Sequence, residues 1–404
     1  DEDLYPPAPS SVPLNFTKPG PGYKRHMLLA VAALAFFLAL YFCLASWFAW
    51  TAYRLLTNLG KADFVIAPLF GGVCAAFLAL FMFKSLFVFR RGKHEGFEIK
   101  RENAPALFAF LEKIADEAKA PRPHRVFLSP RVNAGVFYDL SLANLIFRSR
   151  KNLEIGLGLV NVLPLSEFKA VVAHEFGHFG QGSMAIGRWF YTAQQMASHI
   201  VVARGRLDSF LQGISNIDLR VAWIGWILRL IVWSIRSIFD SVFGWVMRAQ
   251  RALSREMEFQ ADLVAASLTG SDALVHALHR LDAADDAMDS ALSTAEQQAQ
   301  KEQRVPDLFA IQSHFLRRKG EILDDAEYGK VPELPTDAAS HRVFRAQLAH
   351  PPRMWASHPP NDLREENVKK HYLAAALDDR SSWILFEDPQ SIREQVSASI
   401  FKDQ

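Results

Sequence analysis

The sequence predicts a mainly α-helical protein with a small β-sheet and with helices that cross a membrane. Hydrophobic residues make up 50% of the 404 positions and are unevenly spread. Two long runs near the start are almost free of charge. Most of the remaining apolar residues recur at helical spacing, and short strand-like runs fall between residues 126 and 160. The net charge of +2 gives no argument for a nucleic-acid partner. Cys43 and Cys74, the two cysteines, both lie in apolar runs, which excludes a disulfide framework and a cysteine-based zinc site.

Residues 1–26 begin with an acidic stretch rich in proline (Pro6, Pro7, Pro9, Pro13, Pro19, Pro21) and read as a disordered or extended tail. They are not a signal peptide, because the start is acidic and no small-residue cleavage site follows the apolar segment. The sequence opens on Asp1 rather than Met, so residues are expected upstream of it.

Residues 27–89 read as a transmembrane hairpin. Met27 to Trp50 carries no charge, and a helix of that length reaches about 36 Å, enough to span a bilayer. Phe64 to Phe89 is a second such run, and its one charge, Lys84, can snorkel to the headgroups. Trp47, Trp50 and Tyr53 sit where an interfacial belt belongs. Lys18, Lys24 and Arg25 precede the first run, and Arg90, Arg91, Lys93, Lys100 and Arg101 follow the second. The connecting loop has only Arg54 and Lys61. The positive-inside rule therefore places the tail and the residues after the hairpin in the cytoplasm; the expected location is the cell (inner or plasma) membrane, as a multi-pass protein.

Residues 90–182 read as the first part of a catalytic domain. A helix is expected over 104–119, with Leu107, Phe108, Leu111, Ile114 and Ala115 on one face. Strands are expected at Val126–Leu128, Gly135–Tyr138, Leu140–Phe147 and Leu153–Val160. Asn133 and Ala134 would begin an edge strand, and an extended substrate could add to such an edge. Pro164-Leu165-Ser166 then opens a helix, with Ser166 as N-cap and Leu165 in the staple position. Phe168, Val171, Val172, Phe176 and Phe179 keep the helical period, and Gly177 is tolerated if another backbone packs close.

That helix carries His174-Glu175-Phe176-Gly177-His178. Positions i and i+4 share a face, so both imidazoles can reach one metal ion, with Glu175 placed as general base toward a water. Zinc needs a third protein ligand and an open position. Glu258 is the strongest candidate, and Asp262, one turn on, can accept the free ring N–H of a zinc histidine. Glu256 is a rival ligand, but it does not share a face with Asp262.

Residues 183–250 read as a helical hairpin that crosses the membrane or lies on it. Residues 184–203 are amphipathic, with His199 on the polar stripe, and residues 221–247 carry Arg229, Arg236 and Asp240 along one stripe. If His178 and Glu258 share an ion, the chain between them crosses an even number of times. Residues 251–370 form the second part of the catalytic domain. A helix through Asp262 is capped at Gly270, another is expected over Ala273–Ala287, a helix end and linker over 288–304, and a loop over Pro332–Asp337. Residues 371–404 carry no assignable signal.

The segments His174–His178 and Glu258-Phe-Gln-Ala-Asp262 together resemble the integral-membrane gluzincin peptidases, the family of HtpX-like and CAAX prenyl proteases. The resemblance runs from about Arg101 to Arg364 and includes Asn133-Ala134, Leu268–Leu274 and Ser357–Arg364. It implies a gluzincin-type zinc metalloprotease domain with one Zn²⁺ on His174, His178 and Glu258, Glu175 as base and Asp262 behind the ligands. It implies the same cytoplasmic orientation. His358, in His-Pro-Pro with Arg364 six positions on, is the candidate to stabilise the oxyanion, with Arg364 supporting it. His350-Pro-Pro lacks an arginine at that distance. The expected activity is endoproteolysis of protein or peptide substrates at the cytoplasmic face, in membrane-protein quality control. The alternatives are a prenyl-protein peptidase, which wants about seven membrane helices, and a membrane scaffold with a non-catalytic zinc site. Oligomeric state has no signature in the sequence.

Overall fold

The computed structural model describes residues 2–61, 65–85, 96–138, 151–180, 189–190, 192–194, 196–198, 222–301, 307–325, 327–344 and 358–399. Helix α1 spans Pro21–Thr57. Its first residue is a proline, whose missing N–H has no partner to lose at that position. Helix α2 covers Ile66–Ser85, within the second expected apolar run, and packs antiparallel along α1. Gly71 and Gly72 lie against Leu55 and Leu56, and a Cβ on Gly72 would come within 2.7 Å of the Leu56 side chain. The Tyr41 hydroxyl donates to the Met82 carbonyl.

Helix α6, Ala222–Thr269, is the longest element among the described residues. It runs antiparallel to α1, with Phe37 against Phe239 and Phe243, and Tyr41 against Phe239. The 250/251 boundary drawn from the sequence falls inside this helix. Among the described residues two helices are long and apolar enough to cross a membrane, α1 and the Arg229–Thr269 part of α6. Only 22% of the most apolar stretch of each is buried, whereas a soluble core helix would be mostly covered. Leu28, Leu29, Trp47, Trp50, Trp233 and Trp245 are exposed on them. Phe190, Ala193, Met196 and Ala197, from the expected amphipathic segment, are helical and buried in the same cluster as α1, α2 and α6. His199 and the rest of residues 199–203 lie outside the described residues.

The sheet holds β1 (Phe97–Ile99), β2 (Val126–Ser129), β3 (Ala134–Tyr138) and β4 (Lys151–Gly156) in the order β1-β2-β4-β3. β2 and β4 are parallel, and the other pairs are antiparallel. Among the described residues β3 is therefore an edge strand. The strand expected over Leu140–Phe147 lies outside the described residues. The strand expected over Leu153–Val160 ends at Gly156 instead, and the chain turns into helix α4 (Leu157–Val162). Gly156 donates its N–H to the Asn133 carbonyl at 2.7 Å. A Cβ there would sit 2.0 Å from the Arg131 carbonyl oxygen, so only glycine fits the turn. A short apolar run is buried equally well as strand or helix, and periodicity does not separate the two.

Helix α3 (Pro105–Glu117) and helix α5 (Leu165–Gly180) pack face to face, with Phe110 stacked on Phe168 at 5.9 Å. Helix α5 also lies beside β3 and α6. The Phe168 N–H donates to the Pro164 carbonyl, so the first turn starts two residues earlier than expected and Ser166 is not the cap. The free N–H groups of that turn are satisfied from the far end of the chain. Leu165 donates to the Arg380 carbonyl and Ser166 to that of Asp378, while the Asp378 N–H donates to the Ser166 hydroxyl.

Helix α7 (Ser271–Ala299) follows α6 across Gly270, whose φ of +82° suits glycine. It runs through the expected linker as far as Ala299. Ala283, Ala284, Ala287, Ala291 and Ala295 form a small-residue face that is buried, and α7 packs against α8 (Leu308–Ile322). Helix α9 is Asn361–Lys369. The C-terminal residues, without signal in the sequence, form a 3₁₀ turn at Ser382–Leu385 and helix α10 (Pro389–Ser399), with Leu385, Ile392 and Val396 in the main core. The N-terminal residues, expected to be a disordered tail, also pack: Phe16 is buried in that core and α1 starts at Pro21.

Candidate metal centre

Helices α5 and α6 meet at a glycine. Gly177 lies against Ala261, where a Cβ would come 2.9 Å from the Ala261 Cα. This is the close backbone that the motif glycine called for. The approach brings His174, His178 and Glu258 together, with one donor atom from each lying within 4.8 Å of the others. The Nε2 atoms of His174 and His178 are 3.2 Å apart. His174 Nε2 is 3.4 Å from Glu258 Oε2, and His178 Nε2 is 3.5 Å from Glu258 Oε1. Ligands at zinc–nitrogen and zinc–oxygen bond lengths around a tetrahedral ion stand about 3.3 Å from one another. The three side chains therefore fit a single tetrahedral cation.

The rival carboxylate is turned away. Glu256 faces α1, 3.4 Å from His26 Nδ1 and packed over Gly22. Asp262 is fully buried behind His174, and His174 Nδ1 is 2.9 Å from Asp262 Oδ1. With the Nδ1 proton donated to Asp262, Nε2 keeps its lone pair for a metal. Burial pushes the His174 imidazole down, yet hydrogen bonds to Asp262 and Glu258 outweigh it and leave the group raised to about 9. The pocket thus favours a positive charge between the ring and its carboxylates, which a divalent cation supplies by displacing the proton.

Arg364 sits elsewhere than expected. Its Nε and Nη2 donate to the two oxygens of Asp262 at 2.9 and 2.5 Å, and Nη2 lies 3.4 Å from His174 Nδ1. It buttresses the Asp262–His174 pair rather than His358. The sequence paired it with His358 because the two are close along the chain, whereas its partner is 102 positions away. His358 itself is half exposed, and its Nδ1 is 2.7 Å from Glu258 Oε2. Glu175, half-buried, lies in the field of His174, His178, Glu258 and His358; burial raises its carboxyl above the ordinary range against the pull of the imidazoles. Asn133 precedes β3 and Ala134 opens it, with Ala134 opposite Ile155 of β4. Among the described residues no strand pairs with the other side of β3. His350 lies outside the described residues.

The profile of peptidase family M48 matches residues 102–371, two thirds of the chain and every residue of this cluster. The chain belongs to peptidase family M48. Among similar proteins, a protease HtpX homologue of Nostoc punctiforme is 26% identical over 196 residues, covering 46% of this chain and 59% of that protein. A homologue from Desulforapulum autotrophicum is 26% identical over 227 residues, covering 55% and 66%. Protease HtpX of Actinobacillus pleuropneumoniae serotype 5b is 25% identical over 228 residues, covering 54% and 71%. The match therefore spans about three fifths to seven tenths of these relatives. No solved structure gives a significant match. The family membership expected from the two motifs is borne out, as is the mainly helical fold with its small sheet.

Proposed function

We propose that this M48 chain is a zinc-dependent endopeptidase of the cell membrane, cutting protein or peptide substrates at the cytoplasmic face. The supporting observation is the three-ligand cluster with Glu175 beside it and Asp262 and Arg364 behind it. A purely structural zinc site is closed by a fourth protein ligand and needs no base, so this arrangement speaks for catalysis over a scaffold. Zinc on His174, His178 and Glu258 would supply Lewis acidity, polarising the scissile carbonyl and making water a better acid. Glu175 takes the proton of the attacking water and hands it to the leaving amine. Its raised affinity for protons suits both halves of that task. His358, whose Nδ1 is 2.7 Å from Glu258 Oε2, would donate to the oxygen that gains charge. The edge of β3, unpaired among the described residues, with Asn133 just before it and Ala134 at its start, would offer main-chain groups to an extended substrate.

The membrane reading rests on the relation of α1 to α6. Glu256 is level with His26, and the charge-free run of α1 begins at Met27. Glu258 is two residues further on, about 3 Å along the helix axis. The ligand thus sits at the level where the apolar layer starts. Gly180 ends α5 beside the cluster and Ala222 starts α6 at its far end. Among the described residues α1, α2 and α6 are the apolar helices available to span, fewer than a prenyl-protein peptidase needs. A role in membrane-protein quality control is consistent with such a site at the bilayer surface.

The test is proteolysis of an unfolded protein such as casein, with and without chelator. Glu175→Gln should keep full zinc content by mass spectrometry and lose activity by about 10²–10⁴-fold. Glu258→Ala should lose the metal. A Glu175→Gln variant as active as the parent would remove Glu175 as base.

A further inference from the structure

The N-terminal residues are seated on the catalytic helix. Lys169 of α5 is 0% exposed, and its Nζ donates to the Pro6 carbonyl at 2.7 Å and stands 3.9 Å from the centre of the Tyr5 ring. Lys113 of α3 approaches the same ring at 4.1 Å, and Phe110 meets it edge-on at 5.6 Å. The Tyr5 hydroxyl donates to Glu117 at 2.5 Å. Arg380 Nη2, from the segment that caps α5, donates to the Asp3 carbonyl at 2.5 Å. Further along, Phe16 is buried in the main core and Gln260 donates to the Thr17 carbonyl. Gln260 lies between Glu258 and Asp262 on α6.

We propose that residues 2–20 form a strap that fixes the HExxH helix relative to α6, with Tyr5 and Lys169 as positioning residues for the metal centre; this rests on the metallopeptidase reading of that centre. The strap touches α5 on the side away from the imidazoles, about 140° round the helix from His174. It also touches α6 between two residues of the cluster. It then continues into α1, so it ties both ligand-bearing helices to the membrane. A stretch of this proline-rich composition orders only when specific contacts repay its entropy. Tyr5 supplies them: one ring faces two ammonium groups, an arrangement strengthened where water is excluded.

The experiment uses the full chain with Tyr5→Ala, Tyr5→Phe and Lys169→Met, and a form lacking residues 2–8. Zinc affinity is measured by competition with a chromophoric chelator well below the unfolding temperature. Amide exchange of α5 is followed by mass spectrometry in the metal-free protein. Tyr5→Ala and Lys169→Met should bind zinc about tenfold more weakly and exchange faster along residues 165–173, while Tyr5→Phe stays close to the parent. If the shortened form does not fold, the point variants decide. Parent-like zinc affinity and exchange in Tyr5→Ala, even with a lower melting temperature, would overturn the strap as a positioning element. A parent that binds no zinc would sink the peptidase reading instead, and the exchange data would still decide the strap.

Discussion

At the scale of single residues the cluster is built from two kinds of information. The helical period is local, so the pairing of His174 with His178 and of Glu258 with Asp262 could be read from spacing alone. The partner of Arg364 could not, because it depends on α9 packing across α6. That contact makes a prediction. Arg364→Met leaves Asp262 buried without its counter-charge, which should cost about 3–5 kcal/mol. It should also weaken zinc binding about 10–100-fold, since His174 loses the group that holds its acceptor. Adding Asp262→Asn should restore much of the stability and little of the affinity, by chemical denaturation and metal competition. If Arg364 acted only through His358, the single variant would keep its zinc. A second residue sets an acid limit on the fold. His276 of α7 is buried, and its Nε2 has no hydrogen-bond partner among the described residues. Burial pushes its imidazole down to about 4, with Lys369, Arg280 and His279 acting in the same direction and Asp272 opposing. The folded state then binds a proton less readily than the unfolded chain. Stability should fall as the pH drops from about 6.5 to about 4, by about 3 kcal/mol in total. His276→Leu should flatten that limb in denaturation measured at stepped pH.

At the scale of elements, the sequence conveyed where helices lie better than where they start or stop. Ser166 is a good capping residue by type, yet the segment 378–380 does the capping, and nothing local to Ser166 signals that. The polar, alanine-rich stretch after Ala287 looks like a linker until α8 is packed on it, when its alanines become a buried face. The junction of α5 and α6 was legible in part: a glycine inside a helix asks for a close neighbour, but the sequence does not say that the neighbour is Ala261. Gly177→Leu tests the junction with opposing terms. Leucine favours a helix over glycine by about 1 kcal/mol. Its side chain must displace the backbone of α6, and overpacking of this kind costs about 1–3 kcal/mol or more. The expected outcome is a lower melting temperature together with weaker zinc binding, because the helix that moves carries Glu258. Gly180→Ala is the control in the same helix, with open space where the Cβ would be. It should change neither property appreciably.

At the scale of the whole molecule, one helix joins the proposed membrane span to the proposed metal centre. Helix α6 has 48 residues, about 72 Å at the ordinary rise per residue, roughly twice what a hydrocarbon core requires. The stretch from Phe239 to Glu256 packs on α1, and the turn after it carries Glu258 and Asp262, so a single rod sets the position of the site relative to the proposed membrane span. The sequence could not show this, because the apolar run and the acidic motif look like separate segments until the helix is seen to be unbroken. The arrangement makes the proposed topology testable. The strap and the catalytic helices lie at one end of α1, and Asn58, in the turn toward α2, lies at the other. Lys18, Lys24 and Arg25 cluster at the first end, which the positive-inside rule assigns to the cytoplasm. Cys43 and Cys74 lie on the helices α1 and α2 and can be replaced to give a thiol-free background. In that background, Asn58→Cys should react with a membrane-impermeant maleimide added to intact cells stripped of any outer barrier. Glu333→Cys, on an exposed loop of the catalytic domain, should react only in inverted vesicles. Labelling of both positions from the same side would mean that α1 and α2 do not carry the chain across and back, and the site at the bilayer surface would have to be reached in some other way.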